Sequence, residues 1–222
     1  MRIAVIPSRG NSKGIFRKNL HLVGGKPLLG YTVEAALASE SFTQVIVSSE
    51  SEEILAYASE LGATPSKRGD HLSRDDVHAI HVVLDVIRSG GFAPSTVVSM
   101  LLPTSPLRTE DDIAAALRAF EPSEVDSLVS VYRDEKHLLQ LRRIRPDGLL
   151  EPLVDGDPNV QRQEVAEHYV VNGSIYFSRV GTLLNLGSFH LGKVMPFLMD
   201  RHRSVDINTW EDIKAAERML SA

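Results

Sequence analysis

The chain of 222 residues has no cysteine, which excludes a disulfide framework, thiolate catalysis and any cysteine-ligated metal. No apolar run reaches the roughly 20 residues that a membrane-crossing helix needs. Met1-Arg2 leads straight into a strand-like run without a secretory signal pattern, so the expectation is a cytoplasmic protein with no membrane contact. Positive charge is in the minority: 24 Lys and Arg against 29 Asp and Glu give a formal net charge of −5. That balance argues against nucleic acid as a partner, because a binder of nucleic acid carries a broad basic footprint. Neither G-x-x-x-x-G-K-[ST] nor G-x-G-x-x-G occurs, whether around Gly10 and Gly14 or at Gly24-Gly25. A G-x-S-x-G elbow is also absent. The eight histidines are scattered, and surface or capping roles are expected for His71, His78, His81 and His202.

Apolar residues at 43% and charged residues at 24% allow an ordinary buried core, and the length suits one α/β domain over residues 1–222. Strand-like and helix-like runs alternate, which predicts a mostly parallel sheet with helices on both faces. Strands are expected at residues 3–7, 44–48, 96–102, 126–133 and 169–177. Helices are expected at 27–39, 51–61, 76–88, 110–120 and 209–220. From about 135 to 168 the alternation stops. Residues 141–150 read as a hairpin around Pro146-Asp147-Gly148, and 154–163 are polar. The segment reads as an excursion from the sheet, either a lid or an oligomer arm.

Most of the chemistry sits in the first loop. Ile3-Ala4-Val5-Ile6-Pro7 reads as a strand buried on both faces. Behind it, Ser8 to Asn19 joins Gly10 and Gly14 to four cations, Arg9, Lys13, Arg17 and Lys18. Glycine permits a close backbone approach, and lysine and arginine bind phosphate oxygens. A basic loop at the carboxyl end of the first parallel strand is where α/β sheets bind nucleotides. Pro103-Thr104-Ser105-Pro106-Leu107-Arg108 offers hydroxyls and a guanidinium at another strand end, although Thr109 with Asp111-Asp112 also reads as a helix cap. Ser204-Val205-Asp206-Ile207-Asn208-Thr209 reads as a short strand with Asp206 and Asn208 on one face, two hard oxygen ligands that suit Mg²⁺. A helix cap, by Asn208 or Thr209 with Glu211-Asp212 in the first turn, explains Asn208 well and Asp206 poorly. Gly173, inside Asn172-Gly173-Ser174-Ile175-Tyr176, marks a bulge or a ligand passing over the backbone.

Taken in order, these segments resemble the acylneuraminate cytidylyltransferases. The front loop resembles that family's A-R-x-x-S-K-G-x-x-x-K-N pattern through Arg9, Ser12, Lys13, Gly14, Lys18 and Asn19. Residues 103–108 match its P-T-S-P-L-R segment. Arg162-Gln163 falls where the family has an Arg-Gln pair near the sugar, and residues 172–176 and 204–209 resemble its N-G-A-I-Y and S-I-D-I-D-T stretches.

The resemblance implies a Rossmann-like fold and a homodimer whose protruding segment covers the partner's sugar site. It also implies Mg²⁺-dependent transfer of CMP from CTP to a sialic acid or a related nonulosonic acid. Arg9, Gly10, Asn11, Ser12, Lys13, Lys18 and Asn19 would line the triphosphate, and Arg68 would contact the cytosine. Thr104, Ser105, Arg108, Arg162, Gln163 and Asn172 would face the sugar. Asp206 with Asn208 would hold the metal, and Arg9, Lys18 and Asp206 would act in the transfer itself. Three positions depart from the pattern: Leu102 for a glutamine, Val170 for an arginine and Asn208 for an aspartate. The first two leave room for another acid, such as legionaminic acid, pseudaminic acid or 3-deoxy-manno-octulosonate. The third leaves room for a non-catalytic nucleotide-binding homologue.

Overall fold

A computed structural model describes residues 1–12 and 14–221, with Arg162 described by its backbone alone. In chain order the first half holds β1 (Arg2–Pro7), β2 (Leu22–Val23), β3 (Lys26–Pro27), α1 (Leu28–Ala38), β4 (Gln44–Ser49), α2 (Glu52–Glu60), β5 (Thr64–Lys67), α3 (Ala79–Ser89) and β6 (Val97–Met100). The second half holds α4 (Glu110–Phe120), β7 (Ser127–Arg133), β8 (Arg142–Ile144), β9 (Leu150–Pro152), β10 (Tyr169–Arg179), α5 (Val180–Leu186), β11 (Val194–Leu198) and α6 (Trp210–Leu220).

Burial on both faces decides the architecture. Along β1, Ala4 and Ile6 enter one apolar cluster while Ile3 and Val5 enter another, as the two-residue period of a strand requires. β4 repeats the division, with Val45 and Val47 on the first side and Ile46 on the second. Helices α1, α2 and α4 cover the first face through Leu29, Val33, Ile54, Ile113 and Phe120. Helices α3 and α5 cover the second through Val83, Ile87 and Leu183. The seven-stranded sheet runs β11-β7-β10-β6-β1-β4-β5. Only β10 is antiparallel to its neighbours β6 and β7, so the expected mostly parallel sheet with helices on both faces is what forms. No helix among the described residues is long and apolar enough to cross a membrane.

Differences from expectation fall at the edges. β5 and β11, the two edge strands, contain Pro65 and Pro196, and a proline demotes a strand in any sequence reading. α3 starts at Ala79 rather than 76, because His78 takes an extended cap conformation. Residues 204–208 belong to no strand; Ile207 N donates to Thr104 O at 2.8 Å instead. The hairpin of residues 141–150 does form, with Gly148 at φ +83°, as a two-stranded sheet of β8 and β9 separate from the main one.

Candidate active site

The first loop leaves the carboxyl end of β1, where Ser8 N continues the ladder to Ser48 O at 2.9 Å. Buried Asn19 clamps it by donating from Nδ2 to Arg9 O at 2.9 Å. The loop's glycines serve approach to the protein itself. A Cβ on Gly14 would stand 2.7 Å from Asn208 O, and one on Gly10 would meet Ser51 Cβ at 3.0 Å. Beneath them, Ile15 packs with Ile207 and Ile213 in a third apolar cluster against α6. That cluster brings the first loop and residues 204–208 together across nearly the whole length of the sequence.

Lys18 closes the junction. Its Nζ donates to Ile207 O at 2.7 Å and to Asn208 Oδ1 at 3.2 Å, while Asn208 Nδ2 donates to Asp206 Oδ2 at 2.7 Å. Asp206 and Asn208 therefore do stand side by side, but as a hydrogen-bonded pair on an irregular segment. Burial pushes the Lys18 ammonium below the ordinary lysine range; Arg9 adds to the shift, while Asp206 and Asp212 oppose it. Arg9 Nη1 pairs with Asp75 Oδ1 at 2.7 Å. Asp206 is exposed. Among the described residues no group of three or more His, Cys, Asp or Glu side chains is arranged to hold a metal.

On the other side of the loop, Arg68 is buried with 3% of its side chain exposed. It donates from Nη1 to Ser48 O at 2.8 Å, from Nε to Ser73 Oγ at 2.9 Å and from Nη2 to Glu50 Oε2 at 3.2 Å. Glu50 also accepts from Gly10 N and from Ser73 Oγ, both at 2.6 Å. Burial alone would raise the Glu50 carboxyl; the bonds from Ser73 and the Gly10 amide, with Arg68 beside it, outweigh burial and hold it low.

Two hollows open at this edge. The first is lined by Arg9, Ser12, Lys18, Asn19, Arg68 and Thr104 among others. The second is lined by Tyr132, Val170, Val171, Asn172, Gly173 and Asp206 among others. Leu102 borders both, so the two are neighbours with Lys18 and Asp206 near their junction. Lys13 and the Arg162 side chain lie outside the described residues. Asn11 is exposed on the loop.

Three residues expected at the sugar make bonds or are buried within the protein. Arg108 is 3% exposed. It donates to Ser174 O and Thr32 Oγ1, each at 2.6 Å, and to Leu102 O at 3.3 Å, so these three bonds turn it into the protein, while its Nε is buried without a partner among the described residues. Burial pushes its guanidinium down to about 9, with Asp112 opposing, which leaves it charged at neutral pH. Ser105 is 2% exposed and buried in the turn. Asn172 lines the second hollow, but its amide is occupied: Oδ1 accepts from Ser130 Oγ at 2.5 Å and Ser174 N at 3.1 Å, and Nδ2 donates to Ser204 Oγ at 2.9 Å. These bonds hold the bulge where the β10–β7 register shifts, with Gly173 at φ +75°. Gln163 is exposed on a short 3₁₀ turn and lines neither hollow. Glu50 and Ser73 were not singled out in the sequence. The available signal was the position of Glu50, one residue past β4 at the same sheet edge as the first loop.

Comparison with known proteins places the chain in a family. The family model for cytidylyltransferases matches residues 3–146. A CMP-N,N'-diacetyllegionaminic acid synthase of Legionella pneumophila is 33% identical over 228 residues, covering 99% of this chain and 97% of that one. An N-acylneuraminate cytidylyltransferase of Streptococcus agalactiae serotype V is 29% identical over 212 residues, covering 95% of this chain and 51% of that one. The chain thus spans about half the length of the streptococcal relative. Among solved structures, a CMP:2-keto-3-deoxy-manno-octonic acid synthetase complexed with CTP superposes with a TM-score of 0.72 at 14% identity, over 99% of this chain and 98% of that one. At that identity the likeness concerns the fold alone. The matched segment holds the first loop, Arg68 and the 103–108 turn, and the chain belongs to the cytidylyltransferase family.

Proposed function

We propose that this chain transfers CMP from CTP to the anomeric hydroxyl of an N-acylneuraminate or a closely related nonulosonic acid. The observation that carries the reading is Lys18 tying the basic loop to Asn208 and Asp206 where two hollows adjoin. One hollow is lined by cations and takes the nucleotide; its neighbour takes the acid. The anomeric oxygen attacks the α-phosphorus, the bond to the β-phosphate oxygen breaks, and pyrophosphate leaves with the hydroxyl proton released to solvent. Such transfers depend on positioning and on charge neutralisation more than on covalent help. Arg9 and Lys18 offset the charge growing on pyrophosphate, and Arg68 reads the base. With Arg108 and Asn172 committed internally, the acid's carboxylate needs another partner, and Arg162 is the candidate.

Asp206 fits Mg²⁺, which binds through one or two carboxylates completed by substrate phosphates rather than in an all-protein cage. When bound there the metal would neutralise phosphate charge and acidify the attacking hydroxyl. Asn208 is a weaker candidate, since its amide oxygen accepts from Lys18.

A second reading concerns the acid. Leu102, Tyr132, Val170 and Val171 contribute apolar groups to the lining of the second hollow, and a sugar hydroxyl set against them would lose hydrogen bonds to water. That favours a deoxy, N-acylated nonulosonic acid over a fully hydroxylated one. The exposed hairpin of β8 and β9 is proposed as the arm of a homodimer. Pyrophosphate release from CTP with a panel of sugar acids tests the transfer and the choice of acid. Release with a nonulosonic acid supports transfer; CTP binding without release with any acid points to a non-catalytic homologue.

A further inference from the structure

We infer that Glu50 is a positioning residue that locks the phosphate loop and the base-reading arginine into one geometry. This rests on the reading of the first hollow as a CTP site. The basis is a closed set of contacts. Glu50 Oε1 takes the Gly10 N–H, and Oε2 takes both the Ser73 hydroxyl and Arg68 Nη2. Ser73 Oγ in turn accepts from Arg68 Nε, and Arg68 Nη1 reaches back to Ser48 O at the end of β4. One carboxylate therefore ties the loop after β1, the end of β4 and the loop before α3.

The arrangement sets what Arg68 can read. A guanidinium carries five N–H donors. Three are taken here, leaving one on each terminal nitrogen for a ligand in the hollow that Arg68 lines. Adjacent acceptors such as O2 and N3 of cytosine match that pair; uracil presents an N3–H donor and does not. A guanidinium this buried also needs a fixed counter-charge, because removing one partner leaves an uncompensated charge. Glu50 supplies it without facing the bound triphosphate alone, since Gly10 N–H and the Ser73 hydroxyl stand against its oxygens.

The test uses two variants. Glu50→Gln keeps the shape and one carbonyl oxygen but removes the charge. Ser73→Ala removes the bridge between Glu50 and Arg68 from a part-exposed loop. CTP and UTP affinities are measured by calorimetry, with thermal unfolding as the control for folding. The expected result is a CTP-over-UTP preference reduced roughly tenfold in both variants, a loss of about 1.4 kcal/mol of discrimination. A general loosening of the structure would weaken both nucleotides equally and leave the ratio alone. An unchanged ratio, or tighter CTP binding by Glu50→Gln, overturns the inference. If Glu50→Gln fails to fold, Ser73→Ala decides by the same ratio. Wild-type protein that binds neither nucleotide overturns the CTP reading and this inference with it; binding by wild type with an unchanged variant ratio overturns this inference alone.

Discussion

Lys18 is the residue on which the site turns, because its chain-distant partners Ile207 and Asn208 exist only in the folded state. Lys18→Ala and Arg9→Ala are each expected to lower CTP affinity roughly ten- to a hundredfold, since a charge-assisted contact is worth about 1.5–3 kcal/mol. Calorimetric titration that finds wild-type affinity in both would remove the loop from the site. The lowered pKa of Lys18 adds a pH signature with two opposite signs. CTP binding needs the ammonium, so affinity is present below the folded pKa and falls as pH rises through it, earlier than an ordinary lysine near 10.5 would allow. Stability moves the other way: the unfolded chain binds more protons between the folded pKa and 10.5, so this contribution rises with pH across that window. Lys18→Arg should abolish both trends, and matched pH titrations of binding and unfolding check it. At Asp206 the expected result is loss of turnover in Asp206→Asn with thermal stability nearly unchanged. Asn208→Asp should lower the Mg²⁺ concentration needed for half-maximal rate, because a carboxylate attracts a divalent ion more than an amide oxygen does. An unaltered Mg²⁺ curve would confine Asn208 to its contacts with Lys18 and Asp206.

At the scale of elements, α4 and α6 begin with the same device. Thr109 caps Asp112 N while Asp112 answers the Thr109 amide, and Thr209 and Asp212 repeat the exchange. The start of α4 was legible because a threonine cap with acidic residues behind it is local chemistry, as was β1, whose apolar run needs burial on both faces; at α6 the cap is Thr209, while the Asn208 side chain turns to Lys18 and Asp206. Arg108, one residue before the α4 cap, was not legible. Its partners Thr32 and Ser174 are each more than 60 residues away in sequence, so nothing local distinguishes a guanidinium turned inward from one offered to a ligand. The glycines of the first loop are a similar case. Their close neighbours are Glu50, Ser51 and Asn208, and no spacing reveals that. Arg108→Ala should therefore act on stability rather than on substrate. It takes the guanidinium donor from the Ser174 carbonyl and leaves a void, at a cost of about 3–5 kcal/mol. For a chain of this length that lowers Tm by roughly 10 °C, readable by calorimetry. A variant with unchanged Tm but a raised KM for the sugar acid would return Arg108 to the sugar site.

Among the described residues several large apolar side chains stand in water, Phe16, Leu198 and Trp210 among them, and one hairpin gathers four together. Ile144 is 75% exposed, Leu149 60%, Leu150 68% and Leu153 56%, on a two-stranded sheet that pairs with no other strand. A lone two-stranded hairpin is marginal in water, so these side chains call for a cover. A second copy of the chain is the cover proposed here, and symmetry sets the arithmetic. In a two-fold dimer each arm meets its partner, so eight such side chains leave water, each worth about 1.5–3 kcal/mol when fully buried. Association itself costs about 4–15 kcal/mol, which the apolar term offsets only if most of the eight are covered together. The dimer should therefore be sensitive to a single arm. Ile144→Asp with Leu150→Asp places four carboxylates in the assembled interface and should shift sedimentation velocity from dimer to monomer at micromolar concentration. The seven-stranded core lies outside the hairpin, so far-ultraviolet circular dichroism should change little. If the arm also covers the partner's acid-binding hollow, the monomer should keep its CTP affinity while KM for the acid rises. Wild-type protein that sediments as a fully active monomer would leave the arm as a surface loop with another occupant.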